Sequence, residues 1–98
     1  MKIEKQQSEK KMNIKLIGRL DTITSPQLEK EMSECLAGVE ELIFDFTELQ
    51  YLSSAGLRVL LSAQKRMNRQ GSMMITNVND NIMEIFEITG FIDIMSIE

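Results

Sequence analysis

Apolar residues recur at every second position between Met12 and Leu20, with polar residues such as Asn13 and Lys15 between most of them. A period of two is typical of a strand that buries one face and leaves the other in water. Residues 2–7 alternate more weakly, and their lysines discourage further pairing along a free edge. Together the two segments predict an antiparallel hairpin whose first strand lies at the edge of a sheet.

A helix is predicted directly after this hairpin. The tripeptide Thr24-Ser25-Pro26 places a hydroxyl cap before a proline, which is favoured at the first helical position. Apolar residues then follow at helical spacing on one face: Leu28, Met32, Cys35 and Leu36. The short apolar run Leu42–Phe46 predicts a buried strand. A strand, a helix and a strand in succession imply a right-handed crossover and a parallel strand pair.

The second half of the chain continues to alternate between helices and strands. Apolar spacing predicts a helix from about Ala55 to Arg69, a strand at 73–78, a short helix capped by Asn79, and a final strand at 91–97. The outward arc of the long helix is basic: Arg58, Lys65, Arg66 and Arg69. We interpret this arc as a solvated helix face, with contact to a partner's acids as the alternative. The fold class is therefore α/β, in the order β-β-α-β-α-β-α-β.

Length and charge narrow the classes of function. We expect the 98 residues to form a single domain, 1–98, because the chain is too short for a second core. The net charge of −4, without a basic tract, argues against binding to nucleic acid or anionic membranes. No histidine is present for a catalytic triad or a His-ligated zinc site, and no apolar run is long enough to span a bilayer. One cysteine fits a reducing compartment, so we expect a cytoplasmic protein.

Candidate chemistry is concentrated between Asp45 and Arg58, where the chain leaves a buried strand and enters the long helix. In open α/β sheets, loops beyond the carboxyl ends of strands carry ligands and chemistry. Ser53 and Ser54 lie at the start of the helix, where free N–H groups and the helix dipole favour an anion. Gly56 lowers helix propensity by about 1 kcal/mol relative to alanine, which makes sense if another group approaches this turn closely.

Simpler interpretations of these residues remain open. A serine before a helix is most often a cap, and Gly56 can serve packing alone. Asp21 and Asp45 are either a carboxylate pair for a metal or a proton transfer, or acceptors of hydrogen bonds from their own loops. A nucleophilic serine has no histidine as its base, and no phosphate-binding loop is present. We therefore expect no catalytic residue, no metal and no cofactor.

One family matches these motifs. Asp45-Phe46-Thr47, followed by Tyr51-Leu52-Ser53-Ser54-Ala55-Gly56-Leu57-Arg58-Val59-Leu60-Leu61, resembles the signature of the STAS domain. This is the bacterial family of anti-sigma-factor antagonists, or anti-anti-sigma factors. Gly18-Arg19-Leu20-Asp21, Gly71 and Glu87-Ile88-Thr89-Gly90-Phe91 support the resemblance, which extends over almost the whole chain. It implies a STAS-like mixed β-sheet with helices packed largely on one face.

The resemblance also implies a phosphoprotein that regulates transcription by partner switching, and not an enzyme. Members of the family bind an anti-sigma factor that has serine kinase activity, and this binding frees the sigma factor. The kinase phosphorylates a serine two positions before the motif glycine, which releases the antagonist. A metal-dependent serine phosphatase reverses the modification. In this chain the phosphorylated serine corresponds to Ser54.

Other residues are carried over from the same motifs. Asp21 corresponds to the acid beside the phosphoserine, and Asp45 and Thr47 take supporting positions at the end of the buried strand. Many members have Asp where this chain has Ser53, which is the second choice of phosphoacceptor. The residues expected to bind the partner are Asp21, Ser53, Ser54 and Gly56, with Arg58 at the edge. The alternative is a STAS subunit that binds constitutively within another assembly, such as a lipid-transport ABC complex.

Overall fold

The computed structural model describes all residues from 1 to 98. The elements are β1 (Lys2–Ser8), β2 (Lys11–Leu20), α1 (Ser25–Cys35), β3 (Glu41–Asp45), β4 (Leu49–Leu52), α2 (Ser54–Gln70), β5 (Ser72–Thr76), α3 (Asp80–Thr89) and β6 (Ser96–Ile97). This order confirms the predicted α/β class and adds one strand, β4, that the sequence pattern did not predict.

The strands form one mixed sheet in the order β1-β2-β3-β5-β6, with β4 paired to the far end of β2. The predicted hairpin of β1 and β2 is antiparallel, and the pairs β2–β3, β3–β5 and β5–β6 are parallel. Helices connect these parallel neighbours, because parallel strands need a long crossover between them. The mixed sheet expected from the STAS resemblance is therefore confirmed.

Burial along β2 separates the two faces of the sheet. Met12, Ile14 and Leu16 are buried, whereas Asn13 and Lys15 between them are only half-buried. The buried face joins residues of all three helices in one apolar core. Leu16, Met32, Phe44 and Leu60, which lie in the apolar patterns of their strands and helices, are all among its members. Helices therefore cover one face of the sheet, as expected.

Two segments differ from the prediction. The sequence pattern predicts a loop at Leu49–Leu52, but this segment is β4, a strand too short to display alternation. The predicted strand at 91–97 is wrong in its first part, where Phe91–Asp93 forms a 3-10 turn. Local hydrogen bonds such as Asp93 N–H to Gly90 C=O, at 3.2 Å, satisfy the backbone there, so only Ser96–Ile97 pairs with β5.

Strand β2 changes its partner at a bulge. The register shifts between Gly18 and Arg19, and Gly18 has φ of +109°, a conformation that glycine adopts with little cost. Before the bulge β2 pairs with β3, and after it Leu20 pairs with Leu52 of β4. The bulge thus brings the end of β2 beside the start of α2, where the candidate site lies.

Candidate functional site

Ser53 and Ser54 have different roles at the start of α2. Ser53 is the N-cap: its backbone is extended, and its Oγ accepts a hydrogen bond from the Gly56 N–H at 3.2 Å. Its own N–H donates to the Leu20 C=O at 2.9 Å, which ties the cap to the end of β2. Ser54 is the first helical residue and its side chain is exposed. Of the two hydroxyl groups, that of Ser54 is therefore free for chemistry without loss of the cap.

Asp21 organises the loop between β2 and α1. Its Oδ1 accepts hydrogen bonds from the backbone N–H groups of Thr24 and Ile23, both at 3.0 Å. The Thr24 N–H is the main reason that the pKa of Asp21 lies below its ordinary value of 3.8, and the charge of Arg19 adds to the effect. Asp21 is therefore ionised at neutral pH, one residue beyond the Leu20 carbonyl that Ser53 contacts.

The hydroxyl cap predicted within Thr24-Ser25-Pro26, directly before the proline, is wrong in its detail. Thr24 is the N-cap residue of α1, but its side chain makes no capping hydrogen bond. Its hydroxyl instead donates to the Arg19 C=O at 2.7 Å and accepts from the Asp21 N–H at 2.9 Å. Asp21 and Thr24 thus exchange hydrogen bonds across the turn, and this exchange holds the Asp21 carboxylate in place.

Asp45 joins the ends of two strands on the same edge of the sheet. Its Oδ1 accepts from the Thr47 N–H at 2.9 Å, from the Thr47 hydroxyl, and from the Asn77 side-chain amide at 3.0 Å. Partial burial alone would raise the pKa of Asp45, but these hydrogen bonds outweigh it and hold the pKa below 3.8. Asp45 and Thr47 therefore support the turn that leads into β4.

The two carboxylates, of Asp21 and Asp45, are thus acceptors within their own loops. No group of three or more Asp, Glu or Cys side chains comes together in a way that could hold a metal ion. None of the helices has the length and the apolar run that crossing a bilayer requires. This edge of the sheet therefore carries the exposed hydroxyl of Ser54 and the ionised carboxylate of Asp21.

Gly56 lies beneath this surface. It is buried, and a Cβ atom there would lie 2.7 Å from Cγ of Leu20 and 2.9 Å from Cδ1 of Leu52. The close approach inferred from the sequence is therefore made by side chains of the domain itself, and it brings α2 tightly against β2 and β4. Arg58, one turn beyond Ser54, is exposed and lines a shallow groove of about 310 Å³ between α1 and α2.

Sequence reasoning missed two exposed apolar side chains in the segments next to β2 and α2. Ile23, in the loop that Asp21 organises, is 87% exposed, and Tyr51 of β4 is 40% exposed. The guanidinium of Arg19 lies 4.3 Å from the centre of the Tyr51 ring, a cation–π contact worth about 0.5–1 kcal/mol at an exposed position. An exposed isoleucine in a loop leaves no periodic signal, and Tyr51 belongs to the strand that the pattern did not predict.

Seven residues lie at the ends of β2 and β4, in the loop after β2 and in the first turns of α2. We call them the Ser54 surface, and they are Arg19, Asp21, Ile23, Tyr51, Ser53, Ser54 and Arg58. They include exposed apolar side chains, charges of both signs and the exposed hydroxyl of Ser54.

The sequence and the fold were both compared with those of known proteins. Residues 2–98 match the STAS domain family. An anti-sigma-B factor antagonist of Listeria monocytogenes is 33% identical over 90 residues, which cover 89% of this chain and 78% of the relative. An anti-sigma factor antagonist from Mycobacterium paratuberculosis has the same fold, with a TM-score of 0.88 at 16% identity, over 98% of this chain and 83% of the other.

A third similarity is to another solved structure. The Bacillus cell fate determinant SpoIIAA, solved in its phosphorylated form, matches with a TM-score of 0.77 at 19% identity, over 99% of this chain and 91% of the other. At this identity the likeness concerns the fold. The family match covers nearly the whole chain, and the Listeria relative is 33% identical over most of both lengths. The chain therefore belongs to the STAS domain family.

Proposed function

We propose that this protein is an anti-sigma-factor antagonist whose binding to its partner is switched off by phosphorylation of Ser54. The partner is an anti-sigma factor with serine kinase activity, and a metal-dependent serine phosphatase restores the binding-competent form. The observation that carries the proposal is that the two serines at the start of α2 have different structural roles. Ser53 caps the helix, while Ser54 presents an exposed hydroxyl at its first position.

The accessibility of Ser54 favours it over Ser53 as the phosphoacceptor. A kinase must bring the attacking hydroxyl in line with the γ-phosphate of ATP, which requires a hydroxyl that the kinase active site can reach. Ser53 is half-buried and its oxygen accepts a hydrogen bond from the Gly56 N–H, so modification of that oxygen would remove the cap. Serine and aspartate cap helices about equally well, which explains how Ser53 can stand where many family members have Asp.

The proposed contact is centred on the Ser54 surface. Ile23 and Tyr51 supply exposed apolar area, while Asp21 and Arg58 supply charges around it. Gly56 contributes from below, because its lack of a side chain lets α2 pack against Leu20 and fixes the position of Ser54. Asp45 and Thr47 support the turn that precedes β4. We further propose that residues 1–98 act as one unit, and that this switch operates in the cytoplasm.

A phosphate on Ser54 would act mainly at the contact itself. It adds roughly −1.5 to −2 charges. Ser54 directly follows the Ser53 cap, whose N–H donates to the Leu20 C=O just before Asp21. The helix start accepts such a charge, so the fold is kept. A partner packed closely over the Ser54 surface would have to dehydrate the dianion or place its own charges against it. Binding is therefore lost while the domain stays folded.

The decisive experiment is phosphorylation of the purified chain by its anti-sigma kinase with ATP, followed by intact mass measurement. We expect the addition of one phosphate to the parent and to Ser53→Ala, and none to Ser54→Ala. Ser54→Ala should still bind the kinase. Phosphorylation of Ser54→Ala would identify another acceptor. Tight binding to an ABC transporter subunit, with no phosphate transfer by the kinase, would favour the constitutive STAS subunit instead.

A further inference from the structure

Charge is distributed unevenly along the chain. Beyond Arg69 there is no Lys or Arg, but there are five acids: Asp80, Glu84, Glu87, Asp93 and Glu98. All five ion pairs of the structure lie within residues 1–48, for example Lys5 with Glu31 and Lys15 with Glu48. The carboxylates of the last third therefore have no cationic partner within the chain.

Three of these acids form a row on α3. Asp80, Glu84 and Glu87 are spaced i, i+4 and i+7, so they share the outer face of the helix, and all three are exposed. Ile88 follows Glu84 by one turn and is 77% exposed. We call Asp80, Glu84 and Glu87 the acidic row.

Helix α2 carries the complementary pattern. Arg58, Lys65 and Arg69 are spaced i, i+7 and i+11, which places them nearly in line on its outer face, and all three are exposed. None of them takes part in an ion pair. We call these residues the basic row. Helices α2 and α3 bury their apolar sides in the same core, so the two rows belong to the same helical layer.

From this complementarity we propose that the helical layer binds a second copy of this chain. In such a dimer the helical layers of the two copies face each other across a two-fold axis. The acidic row of each copy then lies against the basic row of the other, so the same contact forms twice. Anionic lipid or nucleic acid would meet the basic row but would be repelled by the acidic one. A second copy satisfies both rows and gives Ile88 cover. The proposal does not depend on the proposed function.

The physics of exposed ion pairs sets the strength of this contact. Such pairs are individually weak and are screened by salt, so the dimer should be weak and should require low ionic strength. Sedimentation equilibrium of the full chain, at protein concentrations up to about 1 mM, should show dimers in about 0.03 M salt. The dissociation constant should rise at least about tenfold in 0.3 M salt, where the Debye length falls to about a third of its value in 0.03 M salt.

Charge reversal tests which surface is used. Glu84→Lys and Lys65→Glu alter the middle members of the two rows, and each should weaken the dimer at least about tenfold. The two middle members face each other whichever way the rows run, so the double variant should regain most of the lost affinity. Arg58 is left unchanged because it also belongs to the Ser54 surface.

The matched controls are Glu41→Lys and Lys11→Glu. These residues are exposed neighbours on β3 and β2, on the sheet face opposite the helices, and take part in no ion pair. They change the net charge by the same amount, so they should leave the dimer unchanged. A monomer at about 1 mM in low salt would overturn the proposal, as would equal weakening by the controls or a double variant that does not recover.

Discussion

A Cβ atom on Gly56 would lie 2.7 Å from Cγ of Leu20. The first turn of α2 therefore touches the last residue of β2, and this contact sets the distance between Ser54 and the Asp21 loop. Real Cβ atoms do not approach a carbon so closely, so any larger residue at position 56 must displace the helix start or the Leu20 side chain. The site is built on a packing contact beneath it.

The first prediction follows from this contact. Gly56→Ala should lower the free energy of unfolding by about 1–3 kcal/mol through overpacking. Helix propensity alone predicts the opposite sign, a gain of about 1 kcal/mol. Urea unfolding measures the difference. In a Leu20→Ala background the same substitution should cost less, because Cγ of Leu20 is gone, but some cost should remain from Cδ1 of Leu52 at 2.9 Å. Equal costs in the two backgrounds would mean that Leu20 is not the obstacle.

The elements of the fold were largely predictable because their signals are local. Alternation along β2 and the spacing of Leu28 and Met32 on α1 reflect burial on one side, which sequence displays directly. β4 could not be predicted in this way, since Leu49–Leu52 is buried at its two ends and exposed between them. Its existence depends on the bulge at Gly18, which frees the end of β2 for a new partner.

The site was predictable in its residues but not in their roles. The sequence pattern locates both serines at the helix start, but it does not indicate which of them is the cap. Only the geometry of the Gly56 N–H, which points to the Ser53 oxygen, distinguishes them. Ile23 could not be found because exposure in a loop depends on the folded neighbours and not on any spacing.

A second prediction uses this distinction between the serines. Ser53→Ala should lower the free energy of unfolding by about 1 kcal/mol, because it removes the oxygen that accepts the Gly56 N–H. Ser54→Ala should change stability by less than about 0.5 kcal/mol, as expected for an exposed substitution outside the cap. Chemical denaturation of the two variants side by side makes the comparison. A larger loss for Ser54→Ala would reverse the assignment of the cap.

Core packing gives a third prediction on the same helix. Leu60 is fully buried, whereas its neighbour Leu61 is half-buried at the margin of the core. Leu60→Ala should cost about 2–5 kcal/mol through lost burial and a residual cavity. Leu61→Ala should cost clearly less, because water can fill the space that it leaves. Similar losses for the two variants would show that the helix is rotated from the orientation described.

The fourth prediction concerns acid. The pKa of Asp45 is below 3.8 in the folded chain, so the folded state binds fewer protons there than the unfolded state in mild acid. Its stabilisation is therefore complete above about pH 5 and is lost as the pH falls through the folded pKa. Asp45→Asn should reduce the loss of stability between about pH 5 and pH 2.5, measured by urea unfolding at each pH.

Asp21 also has a lowered pKa, so Asp45→Asn should flatten the pH dependence only in part. Asp93→Asn is the matched control, since Asp93 is exposed and takes part in no ion pair. It should leave the slope unchanged. An Asp45→Asn variant with the parent's acid profile would remove Asp45 as a source of acid sensitivity.

The last prediction concerns the sign of the proposed switch. Ser54→Asp places a negative charge at the first position of α2, where the dipole favours it by about 0.3–1 kcal/mol. The melting temperature should therefore be unchanged or slightly raised. Affinity for the anti-sigma kinase, measured by titration calorimetry, should fall at least tenfold, which corresponds to about 1.4 kcal/mol. Ser8→Asp, at the end of β1 and at the opposite edge of the sheet, adds the same charge and should leave affinity unchanged. If Ser54→Asp binds like the parent, the charge at this position does not control binding, and the switch must be sought at another residue.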